Sequence, residues 1–92
     1  MSDQDEIESN VIDITARLNR LRAATMDADA TAALIELDGL AHSLRYLDLV
    51  LRVKLQVGAP VENYDDIIEY LEVVRRELEG YMKMFGLSPP KG

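Results

Sequence analysis

The residues best suited to chemistry in this sequence are four carboxylates in its last third, Asp65, Asp66, Glu69 and Glu72. Carboxylate oxygens are the ligands that hard divalent cations prefer. Metal sites of the di-iron kind in helical bundles also need a Glu-x-x-His step, and this sequence has none. We therefore interpret the four acids as the solvated first turns of a helix, where the helix dipole favours negative charge. A small metal-dependent enzyme is kept as an alternative.

The single histidine, His42, follows Asp38 by four residues, which places both near one another on a helix. Such a pair could supply two metal ligands or orient an imidazole. No third ligand is suggested by spacing, so we predict no metal and no cofactor. Nucleophilic catalysis is not indicated either, because the sequence lacks cysteine and Ser43 points away from the neighbouring histidine on a helix. No glycine cluster forms a phosphate-binding loop. We predict that the protein is not an enzyme.

The net charge of −7 and the pI of about 4.5 exclude several classes of partner. Nonspecific nucleic-acid binding and docking on anionic membranes both depend on Lys and Arg. The break at residues 25–30 could join a helix-turn-helix, but its second helix begins with acids and offers no base-reading side chains. We expect neither nucleic acid nor membrane as a direct partner, and the acidity permits a basic protein surface. The acidic start resembles no secretory signal, so we expect a cytoplasmic protein.

Residues 30–57 form the predicted central helix, against which the other segments of the chain must pack. Leucines and alanines recur there in steps of three and four, which predicts a long helix with one buried side. A second, mostly apolar side lies nearly opposite, and narrow polar strips separate the two. A helix that is apolar on two opposed sides is expected to have neighbours on both.

The second half of this stretch also fits a β-strand. Apolar residues alternate strictly over residues 47–57, and valine is frequent among them. No other segment of the sequence could pair with such a strand, and a lone strand would leave its backbone groups unsatisfied. We favour the helix and keep the strand as the alternative.

Two shorter helices are predicted on either side, at residues 3–24 and 64–85, followed by a tail over residues 87–92. Each segment carries a heptad-like apolar stripe, and acids precede bases within each one, as the helix dipole prefers. Asp27 or Asp29 is a suitable N-cap for the second helix and Asn63 for the third. Short breaks favour antiparallel neighbours. The sequence predicts one domain over residues 1–92, an all-α, three-helix antiparallel bundle with a long central helix.

The second apolar side of the central helix is the feature that points to function. If both neighbours pack on the leucine side, the opposite side is left for another chain; alternatively, the third helix covers it. We predict a protein interface formed by Ile35, Gly39, Tyr46, Val50, Val53 and Val57. Glycine there would permit close approach of that chain, and a symmetric homodimer is the commonest arrangement.

Three functions remain open at this point. The first is a homodimeric adaptor or regulatory module that acts by binding another protein. The second is an inhibitor that presents acidic patches to a nucleic-acid-binding protein, as anti-defence proteins of phages do; this analogy rests on size and charge. The third is the metal-dependent enzyme.

Overall fold

The computed structural model describes residues 3–87, which form three α-helices. Helix α1 spans Asp3–Met26, α2 spans Ala30–Gln56 and α3 spans Tyr64–Met84. These described residues contain no strand. The strand alternative for residues 47–57 is therefore wrong, because α2 continues through ten of those eleven residues. The predicted all-α bundle with a long central helix is confirmed.

Contacts between α1 and α2 show that these helices are antiparallel. Arg20 pairs with Glu36 at 3.0 Å near the connection between them. Farther away, the Tyr46 hydroxyl donates to Glu6 at 2.6 Å. Residue numbers thus rise along α2 as they fall along α1, which is the arrangement expected from a connection of only three residues.

Contacts between α1 and α3 show that these two helices run in the same direction. The hydroxyl groups of Thr15 and Tyr70 are hydrogen-bonded, and Arg22 pairs with Glu77 at 2.6 Å about two turns later on both helices. Since α2 is antiparallel to α1, it is also antiparallel to α3. Both neighbours contact the central helix, α1 more extensively than α3.

The hydrophobic core lies on one side of α2, as the leucine spacing predicts. Burying each leucine side chain there contributes about 1.5–3 kcal/mol. The apolar stripes of α1 and α3 supply the facing side chains. The buried apolar residues are Ile7, Ile14, Leu18, Leu21, Ala24, Ala33, Leu37, Leu40, Leu44, Leu47, Leu51, Leu71, Val74 and Leu78. Lys54 is also buried, at the end of the α2 row, although its charge places it in a polar strip by sequence.

Caps at the helix ends explain the boundaries. The Asp29 carboxylate accepts a hydrogen bond from the Ala32 amide at 3.1 Å, so Asp29 caps α2. Gly86 (φ 73°) follows α3 in the left-handed conformation, and the next amide reaches back to the Met82 carbonyl at 2.7 Å. Asn63 does precede α3, but its side chain makes no capping hydrogen bond because its own backbone is left-handed, with φ 57°. Of the predicted tail, only residue 87 lies within the described residues.

Candidate functional site

The four acids of α3 that were considered for the alternative of a metal-dependent enzyme do not converge on a site. Asp65 and Asp66 lie in the first turn of the helix, and all four acids are exposed. Among the described residues, no group of three or more histidine, cysteine or acidic side chains is arranged to hold a metal ion. Asp65 and Asp66 lie where the dipole of α3 favours negative charge.

His42 lies on the solvent side of α2 with its side chain 71% exposed. Its Nδ1–H donates to the Asp38 backbone carbonyl at 2.8 Å, and the Asp38 carboxylate is 3.6 Å away. Both interactions are with the preceding turn of the same helix. These contacts hold the imidazole ring against the surface of α2.

The side of α2 opposite the core carries exposed apolar residues over about 33 Å of helix. We call this surface the outer stripe, defined by Ile35, Tyr46, Leu49, Val53 and Val57. Their exposed fractions range from 47% for Val53 to 71% for Val57. Neither α1 nor α3 covers the stripe, so both neighbours pack on the remaining sides of the central helix.

Four of the six predicted interface residues belong to the outer stripe, and two do not. Val50 is partly buried and packs against the core. Gly39 lies beneath α1, where a Cβ atom would overlap the Arg17 guanidinium. Leu49 is missing from the predicted set, although its spacing of seven residues from His42 and fourteen from Ile35 is a signal in the sequence.

Gly39, expected to admit another chain, and the small residue Ser43 are both contacted by α1 instead. Ser43 donates from Oγ to the Asp13 carboxylate at 3.1 Å, and Arg17 pairs with the same carboxylate at 3.0 Å. These hydrogen bonds lower the pKa of Asp13, and the bond from Arg17 has the larger effect. Close packing along this edge of α2 is therefore intramolecular.

Tyr46 is held in place at the boundary between the outer stripe and α1. Its hydroxyl donates to Glu6 at 2.6 Å, and this hydrogen bond raises the pKa of the phenol. The ring is thus fixed on the surface in one orientation although it is half exposed. A preorganised aromatic side chain loses little conformational entropy when a partner covers it.

Charged side chains border the outer stripe on the edge away from α1. Asp38, Arg45 and Arg52 follow one another at seven-residue intervals, and all three are exposed. Arg52 also pairs with Asp48 at 3.2 Å. We call Asp38, Arg45 and Arg52 the charged strip. It is acidic toward the start of α2 and basic toward its end.

Comparison with known proteins gives no relative. No family model, curated protein or solved structure matches this chain. None of the described helices combines the length and apolar character required to cross a bilayer. The geometry of the surface is therefore what a functional proposal must rest on.

A shallow pocket of about 200 Å³ lies at the end of the bundle where α1 turns into α2. Its walls are mostly alanine side chains and backbone, and Met84 and Phe85 close it from α3. The sequence analysis did not identify this pocket; the alanine-rich break at residues 28–33 is the signal that could have indicated it.

Proposed function

We propose that this chain is a non-catalytic protein-interaction module that binds through the outer stripe of α2. One observation supports the proposal above all: α2 exposes a row of large apolar side chains, densest from Tyr46 to Val57, although its opposite side already satisfies the core. Contiguous apolar surface on a small soluble protein is a common mark of an interaction site. A cytoplasmic location and a homodimeric form belong to the same proposal.

The energetics of the outer stripe favour this interpretation over a purely structural one. Each large apolar side chain contributes about 1.5–3 kcal/mol only when it is fully buried. Leu49 and Val53 are about half exposed and so contribute little of this to folding. A partner that covers Leu49 and Val53 would gain the free energy of apolar burial that the isolated chain does not gain from them.

A photo-crosslinking experiment tests the proposal in the cells that produce the protein. Benzoylphenylalanine replaces Leu49 in one variant and Ile12 in the control, which is 70% exposed on α1 and stands away from the stripe. We expect protein adducts from position 49 and none from position 12. Absence of adducts at position 49, or equal yields at the two positions, would contradict the proposal.

A second candidate function uses the exposed acids of α3 instead. The row formed by Asp65, Asp66, Glu69 and Glu72 is suited to a basic protein surface, as in an inhibitor of a nucleic-acid-binding protein. Binding of that kind weakens steeply with ionic strength, whereas apolar contact through the stripe does not. An affinity for the captured partner that falls more than tenfold between about 50 mM and 500 mM salt would favour the acidic surface.

A further inference from the structure

We propose that the outer stripe binds a second copy of this chain, with the two α2 helices antiparallel and related by a twofold axis that crosses the stripe at the level of residue 44. This inference rests on the proposed function and names its partner. Three observations support it: the spacing of the stripe, the order of charges beside it and the length of helix available.

The spacing along the outer side of α2 is that of a coiled-coil seam. Steps of four and three residues alternate without interruption through one series of positions. The series is Ile35, Gly39, His42, Tyr46, Leu49 and Val53. Along residues 3–87, α1 and α3 pack on other sides of α2 and leave this side open to a helical neighbour.

Antiparallel pairing centred on residue 44 brings each position of the series opposite another position of the same series in the second copy. Ile35 lies opposite Val53 of the second copy, and His42 lies opposite Tyr46 of the second copy. Gly39 lies level with Leu49 of the second copy, but Arg17 covers Gly39, so Leu49 of the second copy meets the Arg17 side chain at that layer.

The charged strip is self-complementary only in the antiparallel arrangement. It runs from Asp38 to Arg45 and Arg52, so reversal places each Asp38 beside Arg52 of the other copy, while the two Arg45 side chains approach each other near the twofold axis. In a parallel pair the two strips lie on opposite sides of the seam and do not meet. The strip is also a basic patch on a chain of net charge −7, which reduces repulsion between two copies there.

The length of the seam sets the expected strength of association. Residues 35–53 extend over about 27 Å, so a single helix pair buries less area than the roughly 800 Å² per partner of a standard interface. We therefore expect a dimer of moderate affinity. Sedimentation velocity from about 1 µM to 1 mM covers this range.

Sedimentation velocity of the purified chain tests self-association, with Leu49→Arg as the disrupting variant and Ile12→Arg as its control. The expected mass rises from 10.3 kDa toward twice that value with concentration for the native chain and for Ile12→Arg. Leu49→Arg is expected to remain monomeric with an unchanged circular dichroism spectrum. A native chain that is monomeric throughout, or a Leu49→Arg chain that dimerises equally well, overturns the proposal.

Cysteine crosslinking tests the orientation, since the native chain has no cysteine. A mixture of Ile35→Cys and Val53→Cys chains is expected to form an intermolecular disulfide rapidly. Each variant alone is expected to crosslink at least tenfold more slowly, because like positions lie at opposite ends of the seam. Rapid crosslinking of Ile35→Cys alone would indicate parallel helices and overturn the antiparallel assignment.

A charge exchange tests the role of the charged strip. Asp38→Arg makes the strip entirely basic, and the double variant Arg45→Asp/Arg52→Asp makes it entirely acidic. Each is expected to self-associate about tenfold more weakly than the native chain, and an equimolar mixture is expected to recover native affinity. Failure of the mixture to recover would overturn the predicted pairing of strips.

These outcomes separate the inference from the function on which it rests. A purified chain that never dimerises, combined with adducts to a different protein at position 49, overturns the homodimer and leaves the interaction module standing. A monomeric chain without adducts at position 49 removes both.

Discussion

Arg22 of α1 donates two hydrogen bonds to the Glu77 carboxylate on α3, from Nε at 2.6 Å and from Nη2 at 2.7 Å. The Tyr81 hydroxyl donates to the same carboxylate at 3.3 Å. Hydrogen bonding from Arg22 lowers the pKa of Glu77, while burial raises the pKa of Tyr81. This bidentate pair is a specific polar link between α1 and α3.

Removing the Glu77 carboxylate is expected to loosen α3. Glu77→Ala should lower the free energy of unfolding by about 1 kcal/mol, the upper range for a partly exposed ion pair, because the geometry is bidentate. Urea denaturation followed by circular dichroism measures the change. Glu79→Ala, an exposed position on the same helix, is the control and should change stability by less than about 0.5 kcal/mol. Equal losses in the two variants would contradict a specific role for Glu77.

Acid should destabilise the protein partly through the same carboxylate. The folded-state pKa of Glu77 is lowered, so its contribution is complete above the unfolded value of about 4.3 and is lost as pH falls through the folded value. Glu77→Gln should therefore show a shallower decline of stability below about pH 4.3 than the native chain. Asp13, whose pKa is also lowered, should account for part of the remaining slope. A variant with an unchanged acid slope would argue against this linkage.

Truncation of two leucines on the same helix should change the free energy of unfolding by very different amounts. Leu47 is fully buried, and Leu47→Ala should cost about 2–5 kcal/mol through lost burial and a cavity. Leu49 is 59% exposed, and Leu49→Ala should change the unfolding free energy by about 0.5 kcal/mol or less in dilute solution. Thermal denaturation of both variants at low concentration is the measurement. A large loss for Leu49→Ala would show that the stripe serves the monomer fold.

Replacing two of the glycines by alanine should change stability in opposite directions. Gly80 lies inside α3 with open space around it, so Gly80→Ala should stabilise the protein by about 0.5–1 kcal/mol through helix propensity. Gly58 has φ 72°, and Gly58→Ala should destabilise it by about 1 kcal/mol because a side chain strains that conformation. For a chain of this size, each kcal/mol corresponds to about 4–8 °C in Tm. Shifts of the same sign would contradict this interpretation.

Periodicity was sufficient to predict the helices and the buried side of α2. The series from Leu37 to Leu51 repeats every three to four residues, and burial follows that series without exception. The exposed stripe was predictable for the same reason, because a helix wheel separates Ile35 and Val53 from the leucines. Capping by Asp29 was predictable from local chemistry alone.

Features that depend on how helices are rotated against one another were not predictable. Arg22 and Glu77 are 55 residues apart, and no local pattern relates them. Gly39 was expected to face a foreign chain, but the position of α1 decides that Arg17 covers it. Lys54 is buried because its position continues the core row of α2, a placement that its charge alone opposes.

The three-residue connection between α1 and α2 has a consequence for how quickly this chain folds. Closing so short a connection costs little chain entropy, so the first two helices can meet before α3 is in place. Small helical bundles with mostly local contacts reach the native state in microseconds to milliseconds. We expect this chain to fold on that timescale, with α3 joining a hairpin whose apolar side has already formed.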